Sequence, residues 1–201
     1  MDTEQKQNLM GKIYHCLTMD NPDCATAAQL IDQLLSDPEY RAQEGTGFWL
    51  AELSRCLAAQ GRYVEAAATM ERAIQVGLTG LPDGRADIAA YWLHIGRAKE
   101  AGELFAALRD EMPEAVWLYQ SAGMAYQAVD RHEEALRWLT LGLRLALRLE
   151  EPDEIVVQLS RLRRVSLAKL GFEADKLEHE ADIYVTAHEA FANEVVENPW
   201  R

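Results

Sequence analysis

The sequence predicts an all-α protein that is built from repeated pairs of short antiparallel helices. Composition is the first observation, because residues that favour helices outnumber the β-branched ones: the 201 residues include 30 Ala and 26 Leu but 10 Val, 7 Ile and 8 Thr. The second observation is an internal repeat of about 34 residues. The third is an apolar content of 49% with 26% charged residues, which is typical of a folded globular chain and excludes wholesale disorder.

The repeat covers the middle of the chain. Three segments align there, and they read GRYVEAAATMERAI, GRAKEAGELFAALR and DRHEEALRWLTLGL, starting at Gly61, Gly96 and Asp130. The alanine after the acidic residue recurs with spacings of 35 and 34 residues, at Ala66, Ala101 and Ala135. A stretch with the apolar periodicity of a helix lies about fourteen residues upstream of each segment. Each unit is therefore predicted to be helix, turn, helix, and such short pairs bury their apolar faces only by stacking.

Each position in the unit has a structural reason. Gly or Asp forms the turn, because these residues accept left-handed or capping conformations. Alanine lies where two helices approach closely. Bulky residues one turn later fill the space toward the next pair, at Met70, Phe105 and Leu139. Pro113 follows the last helix of the second unit, where a proline ends the helical run.

The flanks follow the same pattern less regularly. Residues 7–40 are predicted to form a degenerate N-terminal helix pair, and residues 41–47, RAQEGTG, a linker or an extra turn. The three clear repeats span residues 47–149. Residues 150–201 are predicted to form a C-terminal capping pair, whose acidic last helix follows a Gly-Phe break. We therefore expect one array over residues 1–201, with about six helix pairs and no separate second domain.

Residues 47–149 resemble the tetratricopeptide repeat family. The resemblance rests on the period, on the turn G-x-Y-x-E-A at Gly61, Tyr63, Glu65 and Ala66, and on the small and bulky positions described above. It implies an all-α, right-handed superhelix of stacked antiparallel helix pairs. It also implies a non-catalytic protein–protein interaction module, in which the first helix of each pair lines a concave face that binds a peptide segment or a protein partner.

When the inward-facing positions of the family's first helices are transferred to this chain, they give ten candidate partner-binding residues on the concave face. They are Phe48, Glu52, Arg55, Asp83, Asp87, His94, Trp117, Gln120, Met124 and Gln127. We expect Phe48 and Trp117 to act as anchors and the acidic members to favour a cationic partner segment. The alternative for each residue is packing between repeats. The Lys, Asn and Arg clamp with which some family members hold a C-terminal carboxylate is largely missing, since Arg55 is the only guanidinium at the comparable places.

Charge divides the chain into unequal parts. The net charge of −13 predicts that nucleic acids and anionic membrane surfaces repel most of it, but residues 131–169 carry eight basic and six acidic side chains. Six of the basic residues lie on two consecutive predicted helices, at Arg144, Arg148, Arg161, Arg163, Arg164 and Lys169. They could contact nucleic acid or an acidic peptide, or pair with Glu150, Glu151, Asp153 and the acidic last helix. We favour intramolecular pairing, because no aromatic residues interleave the arginines.

The residues give no basis for catalysis, a metal or a cofactor. Three cysteines are present, at Cys16, Cys24 and Cys56. Because they form no C-x-x-C motif and have no adjacent electropositive surroundings, we expect reduced thiols in a cytoplasmic protein. His179 could share a helix face with Asp175 and Asp182, but no metal-site motif accompanies them, so we expect a solvated face. We identify neither a signal peptide nor a membrane-spanning run.

Two other functions stay open at this point. One is a self-associating structural protein, and the expected state is a monomer or a homodimer. The other is a regulatory module that contacts nucleic acid through the basic stretch from Arg144 to Lys169, although the acidic balance makes nucleic acid the weaker expectation.

Overall fold

The computed structural model describes residues 1–41 and 45–197, and these residues contain eleven α-helices and no β-strand. The helices are α1 (Thr3–Thr18), α2 (Cys24–Leu35), α3 (Pro38–Arg41), α4 (Thr46–Ala59), α5 (Tyr63–Gln75), α6 (Gly84–His94), α7 (Ala98–Glu111), α8 (Val116–Ala128), α9 (His132–Leu149), α10 (Asp153–Lys169) and α11 (Lys176–Glu197). The predicted all-α class is confirmed. None of the described helices is long and apolar enough to cross a membrane.

The chain divides into two compact units, Met1–Leu104 and Phe105–Arg201, and the boundary falls inside α7. A single array over the whole chain therefore stays a prediction. Within the described part, five pairs of longer helices follow one another rather than about six, because residues 38–41 form only the four-residue α3. Helix α4 begins inside the segment that was predicted as a linker, and residues 42–44 of that segment lie outside the described residues.

The same turn joins the two helices of three pairs. Its central residue adopts a positive φ, which is +76° at Gly61, +80° at Gly96 and +56° at Asp130. The next backbone N–H donates to the carbonyl five positions earlier, at 2.9 Å from Arg62 to Leu57, 2.8 Å from Arg97 to Trp92 and 2.9 Å from Arg131 to Tyr126. This hydrogen bond closes the C-terminus of the first helix as in a Schellman motif. The turn that the sequence predicts is confirmed.

An arginine follows each of these turn residues and forms an ion pair with a glutamate of the second helix. The ion pairs join Arg62 to Glu65, Arg97 to Glu100 and Arg131 to Glu134, three residues ahead on the second helix. Arg97 also lies over the Trp92 ring, 4.4 Å from its centroid. In the sequence the pattern is visible as GR, GR and DR at the start of the three aligned segments. Ion pairs between exposed side chains stabilise only weakly, so the turn depends mainly on its positive φ and its backbone hydrogen bond.

Small and bulky residues share the core as the repeat predicts. Six core positions of the repeat are completely buried, namely Ala66, Met70, Ala101, Phe105, Ala135 and Leu139. In the unit from residue 105 onward, α8 and α9 approach so closely at Gly123 that a Cβ atom there would lie 2.4 Å from Leu139 Cγ. The close contact between these two helices therefore depends on the missing side chain of Gly123.

Candidate functional site

In the unit Met1–Leu104, an ion-pair cluster joins the first helices of two successive pairs. Helix periodicity places Phe48, Glu52 and Arg55 on one face of α4. Arg55 donates from Nη1 to Glu52 Oε1 at 2.6 Å and from Nη2 to Asp87 Oδ2 on α6 at 3.3 Å. Burial raises the pKa of Asp87 above its ordinary value, against the opposing pull of Arg55. We call these four residues the α4–α6 face.

Asp83 has a local structural task at the start of α6. Its carboxylate accepts the Arg85 backbone N–H at 2.8 Å, which caps the helix, and it also accepts from the Arg85 guanidinium at 2.8 Å through Nη2. Burial opposes the ionised form, but these hydrogen bonds from Arg85 lower the pKa of Asp83. The three acidic residues predicted to attract a cationic segment thus already contact Arg55 or Arg85. The role of Arg85 was not predicted, since a helix-capping contact gives no repeat signal.

Two exposed aromatic rings, Phe48 of this face and Tyr14 on α1, pack against the same buried ring. Phe48 is 42% exposed and Tyr14 on α1 is 47% exposed. Both rings pack edge-on against the buried Trp49, with centroids at 5.1 Å and 5.5 Å. Trp49 is held in turn, because its Nε1 donates to the Tyr40 hydroxyl at 2.6 Å. We call Tyr14, Phe48 and Trp49 the aromatic patch; Tyr14 was not among the predicted site residues, because α1 lies outside the clear repeats.

His94 lies at the C-terminal end of α6. Its ring stacks on Tyr63 with a centroid distance of 4.0 Å and an interplanar angle of 1°. Burial lowers the pKa of His94, so the neutral ring is favoured near neutral pH. The residue is exposed overall, but one face of its imidazole ring packs within the fold.

In the unit from Phe105 onward, the predicted residues of α8 divide into packing and exposed groups. Gln127 donates through Nε2 to the Leu162 carbonyl at 2.6 Å and to Ser166 Oγ at 2.8 Å. Gln120 donates to Gln158 Oε1 at 3.1 Å, so both glutamines tie α8 to α10. Met124 lies between them and is 49% exposed.

The indole of Trp117 is partly buried. Its Nε1 is shielded from solvent and has no hydrogen-bond partner among the described residues. The anchor role of Trp117 stays a prediction. Together with the contacts of the two glutamines, this arrangement leaves Met124 as the most accessible of the four predicted residues on α8.

Two arginines of the basic stretch are already paired with acidic residues. Arg163 Nη1 donates to Glu178 Oε1 at 2.8 Å and also contacts Asp175, while Arg164 donates to Glu178 Oε2 at 2.7 Å and to Asp182 Oδ1 at 2.6 Å. The predicted pairing with the acidic last helix is confirmed for these two arginines. Arg144 and Arg161 are exposed and form no ion pair within residues 1–41 and 45–197.

The Cys56 thiol and the acidic residues near His179 occupy defined surroundings. Burial, with a further contribution from neighbouring Cys24, raises the pKa of the Cys56 thiol to about 12, so this thiol is protonated and a poor nucleophile near neutral pH. No group of three metal-ligating side chains occurs in the part of the chain that the structure describes. Asp175 and Asp182, which were predicted to share a helix face with His179, form ion pairs with Arg163 and Arg164.

No protein-family model and no curated protein sequence matches the chain. Solved structures do match it. A putative kinesin light chain from Podosopora anserina with nearly identical TPR-like repeats shares 16% identity at a TM-score of 0.61, and the match covers 96% of this chain and 99% of that one. A tetratricopeptide repeat protein from Parabacteroides merdae shares 13% identity at a TM-score of 0.52, over 93% and 88% of the two chains.

A third similar structure is that of Bacillus thuringiensis PlcR in complex with the peptide PapR7 and DNA. It shares 17% identity at a TM-score of 0.55, and the match covers 97% of this chain and 74% of PlcR. Likeness at these low identities shows the fold alone. The resemblance to tetratricopeptide repeat proteins is confirmed at that level.

Proposed function

We propose that this chain, which has a tetratricopeptide-repeat fold, is a non-catalytic module that binds a peptide segment or a protein partner. The binding surfaces are exposed faces of first helices. In one unit the surface is the α4–α6 face with the aromatic patch, and in the other it is the part of α8 around the exposed Met124. A protein of the same fold, PlcR, is known in complex with a peptide, which supports a peptide as the ligand. That each of the ten predicted residues contacts the partner is still a prediction.

The aromatic patch is the observation that carries the proposal. Aromatic side chains are enriched among the residues that dominate binding energy, especially where they are rigid and surrounded by polar groups. Phe48 and Tyr14 expose their rings although Trp49 beneath them is buried and held by Tyr40. The two rings are therefore ordered before a partner arrives, which lowers the entropic cost of binding.

Charge makes the smaller contribution in this proposal. Glu52, Asp83 and Asp87 are only partly exposed and already contact Arg55 or Arg85. A cationic residue of the partner has to compete with these guanidinium groups, so it gains little net energy. We therefore infer that an apolar partner side chain on the aromatic patch supplies most of the affinity, with a cationic residue nearby.

Affinity capture from the native source, with mass spectrometry, would identify the partner, and a matched pair of variants would then test the surface. The site variant carries Tyr14→Ala, Phe48→Ala and Met124→Ala, which remove the exposed side chains of the two proposed surfaces. The control carries Glu71→Ala, Glu103→Ala and Arg137→Ala, which remove exposed side chains of second helices. None of these three positions is among the ten predicted partner-binding residues.

We expect the site variant to lose at least about tenfold in affinity, since anchor residues contribute about 2 kcal/mol or more, and the control to bind normally. Circular dichroism would show that both variants are folded. Equal binding by the folded site variant and the native chain would show that the partner binds elsewhere.

A further inference from the structure

A buried charge cluster joins α10 to α11 in the unit from Phe105 onward. Arg163 on α10 is 3% exposed and Glu178 on α11 is 1% exposed, although both are ionisable. Glu178 receives hydrogen bonds from Arg163 at 2.8 Å, from Arg164 at 2.7 Å and from Ser160 at 2.5 Å. All three donors lie on α10. One carboxylate of α11 is therefore recognised by three side chains of a single neighbouring helix.

Helix α9 also holds one of the arginines of this cluster. Arg163 Nε donates to Thr140 Oγ1 on α9 at 2.9 Å, which fixes the plane of the guanidinium. Planar guanidinium groups recognise carboxylates with strict geometry, so a fixed arginine is a receptor for an acidic side chain. Helices α9 and α10 thus present a site that is prepared for a carboxylate.

Helix α11 fits this site by charge more than by apolar packing. Only Leu177, Glu178 and Ala181 are buried among its residues up to 187, whereas Ile183 is exposed. An open cleft of about 300 Å³, lined by apolar and polar residues of both helices, lies beside the contact. The apolar part of the contact is therefore small.

The acidic residues of α11 form a stripe with a definite spacing. Asp175 precedes the helix, accepts the N–H of Leu177 and of Glu178 as a cap, and contacts Arg163. Asp182 contacts Arg164 at 2.6 Å. Acidic groups at positions 175, 178 and 182 thus lie on one face of the helix.

We propose that α10 carries a docking site for an acidic helix of a partner protein and that α11 occupies this site as an intramolecular ligand. The partner helix has a capping Asp, an acidic residue three positions later and another four positions after that, with small or apolar residues between them. Because truncating one member of a buried ion pair is strongly destabilising, a competitor with the same carboxylates replaces α11 more readily than α11 leaves on its own. This surface is separate from the α4–α6 face.

Binding of a labelled peptide to the full chain tests the exchange. The probe is a synthetic peptide of residues 173–187 with blocked ends, and its binding is followed by fluorescence anisotropy. The variant Glu178→Ala/Asp182→Ala weakens the intramolecular ligand, and we expect it to bind the peptide at least about tenfold more tightly than the native chain, since the native α11 competes. Binding should weaken as salt is raised, because Arg164 and Asp182 are partly exposed.

Two controls isolate the carboxylates. A chain variant Glu173→Ala/Glu180→Ala removes two exposed carboxylates of the same segment and should bind the peptide as weakly as the native chain does. A peptide with Glu178→Gln and Asp182→Asn should lose at least about tenfold in affinity for the weakened variant.

Hydrogen exchange on the native chain gives a second measurement that needs no folded variant. Saturating unlabelled peptide should speed the exchange of the α11 amides and leave those of α8 unchanged. The proposal is overturned if α11 exchange is unaffected at saturating peptide, or if a folded Glu178→Ala/Asp182→Ala chain binds no peptide. In either case α11 is a permanent cap of the fold.

Discussion

Replacing Gly123 with alanine should destabilise the protein, although alanine is the better helix former. Gly123 lies in α8, where Gly→Ala alone would stabilise the folded state by about 0.5–1 kcal/mol. A Cβ atom at this position would lie 2.4 Å from Leu139 Cγ and 2.5 Å from Leu139 Cδ2. Leu139 is completely buried, and its Cγ is bonded directly to its Cβ, so relieving the contact requires a shift of the side chain within the core.

The magnitude follows from the competition between these two effects. Overpacking of a filled core costs about 1–3 kcal/mol, and the helix preference returns about 0.5–1 kcal/mol of this. We therefore expect Gly123→Ala to lower the free energy of unfolding by up to about 2.5 kcal/mol. The midpoint of chemical denaturation, with an unchanged m-value, measures it.

Gly11 provides the matched control. It lies in the interior of α1, is exposed, and a Cβ atom there would meet nothing within 4 Å. Gly11→Ala should raise the free energy of unfolding by about 0.5–1 kcal/mol, so the same substitution has opposite signs at the two positions. In a Leu139→Ala background the clash disappears, and Gly123→Ala should become neutral or stabilising. A Gly123→Ala variant as stable as Gly11→Ala would refute the close approach of α8 and α9.

The other predictions concern the ionisable groups. Arg163→Ala removes one of the two guanidinium partners of the buried Glu178, which keeps Arg164 and Ser160, and should cost about 1.5–3 kcal/mol in thermal or chemical unfolding. Arg144→Ala, at an exposed position, should change stability by less than about 0.5 kcal/mol. Similar losses for both would contradict the burial of the Arg163–Glu178 pair. Hydrogen bonds from Arg163 lower the pKa of Asp175, so this residue contributes stability that is complete above its unfolded pKa of about 3.9 and is lost as pH falls toward the folded value. Asp175→Asn should therefore flatten the acid limb of the stability curve, and an unchanged limb would count against the assignment. Burial raises the pKa of Cys56 to about 12, so iodoacetamide should alkylate it at least about tenfold more slowly near pH 8 than a free cysteine, as peptide mapping would show; comparable rates would contradict its burial.

The repeat was predictable because its geometry constrains residue size at fixed intervals. Ala66, Ala101 and Ala135 occupy completely buried positions, where only a small side chain fits, and this requirement is visible as a spacing in the sequence. The turn was predictable for a similar reason, since a positive φ restricts the residue to Gly or to a few others, as at Asp130.

The side-chain contacts of the candidate surfaces were not predictable in the same way. Arg55 meets Asp87 across 32 positions of sequence, and their contact depends on how α4 packs beside α6. Pairing between the basic stretch and the last helix followed from charge, but the choice of Arg163 and Arg164 over Arg161 depends on which side of α10 faces α11. The short helix α3 gave no period to detect.

Site-specific photo-crosslinking tests the central claim most directly. A benzoylphenylalanine side chain is placed at Phe48 or Met124, on the first helices, and in matched chains at Glu71 or Arg137, on the second helices; all four positions are exposed. We expect the first two chains to crosslink the captured partner and the other two to leave it free. Crosslinks from Glu71 and Arg137, with none from Phe48 or Met124, would contradict binding through the first-helix faces.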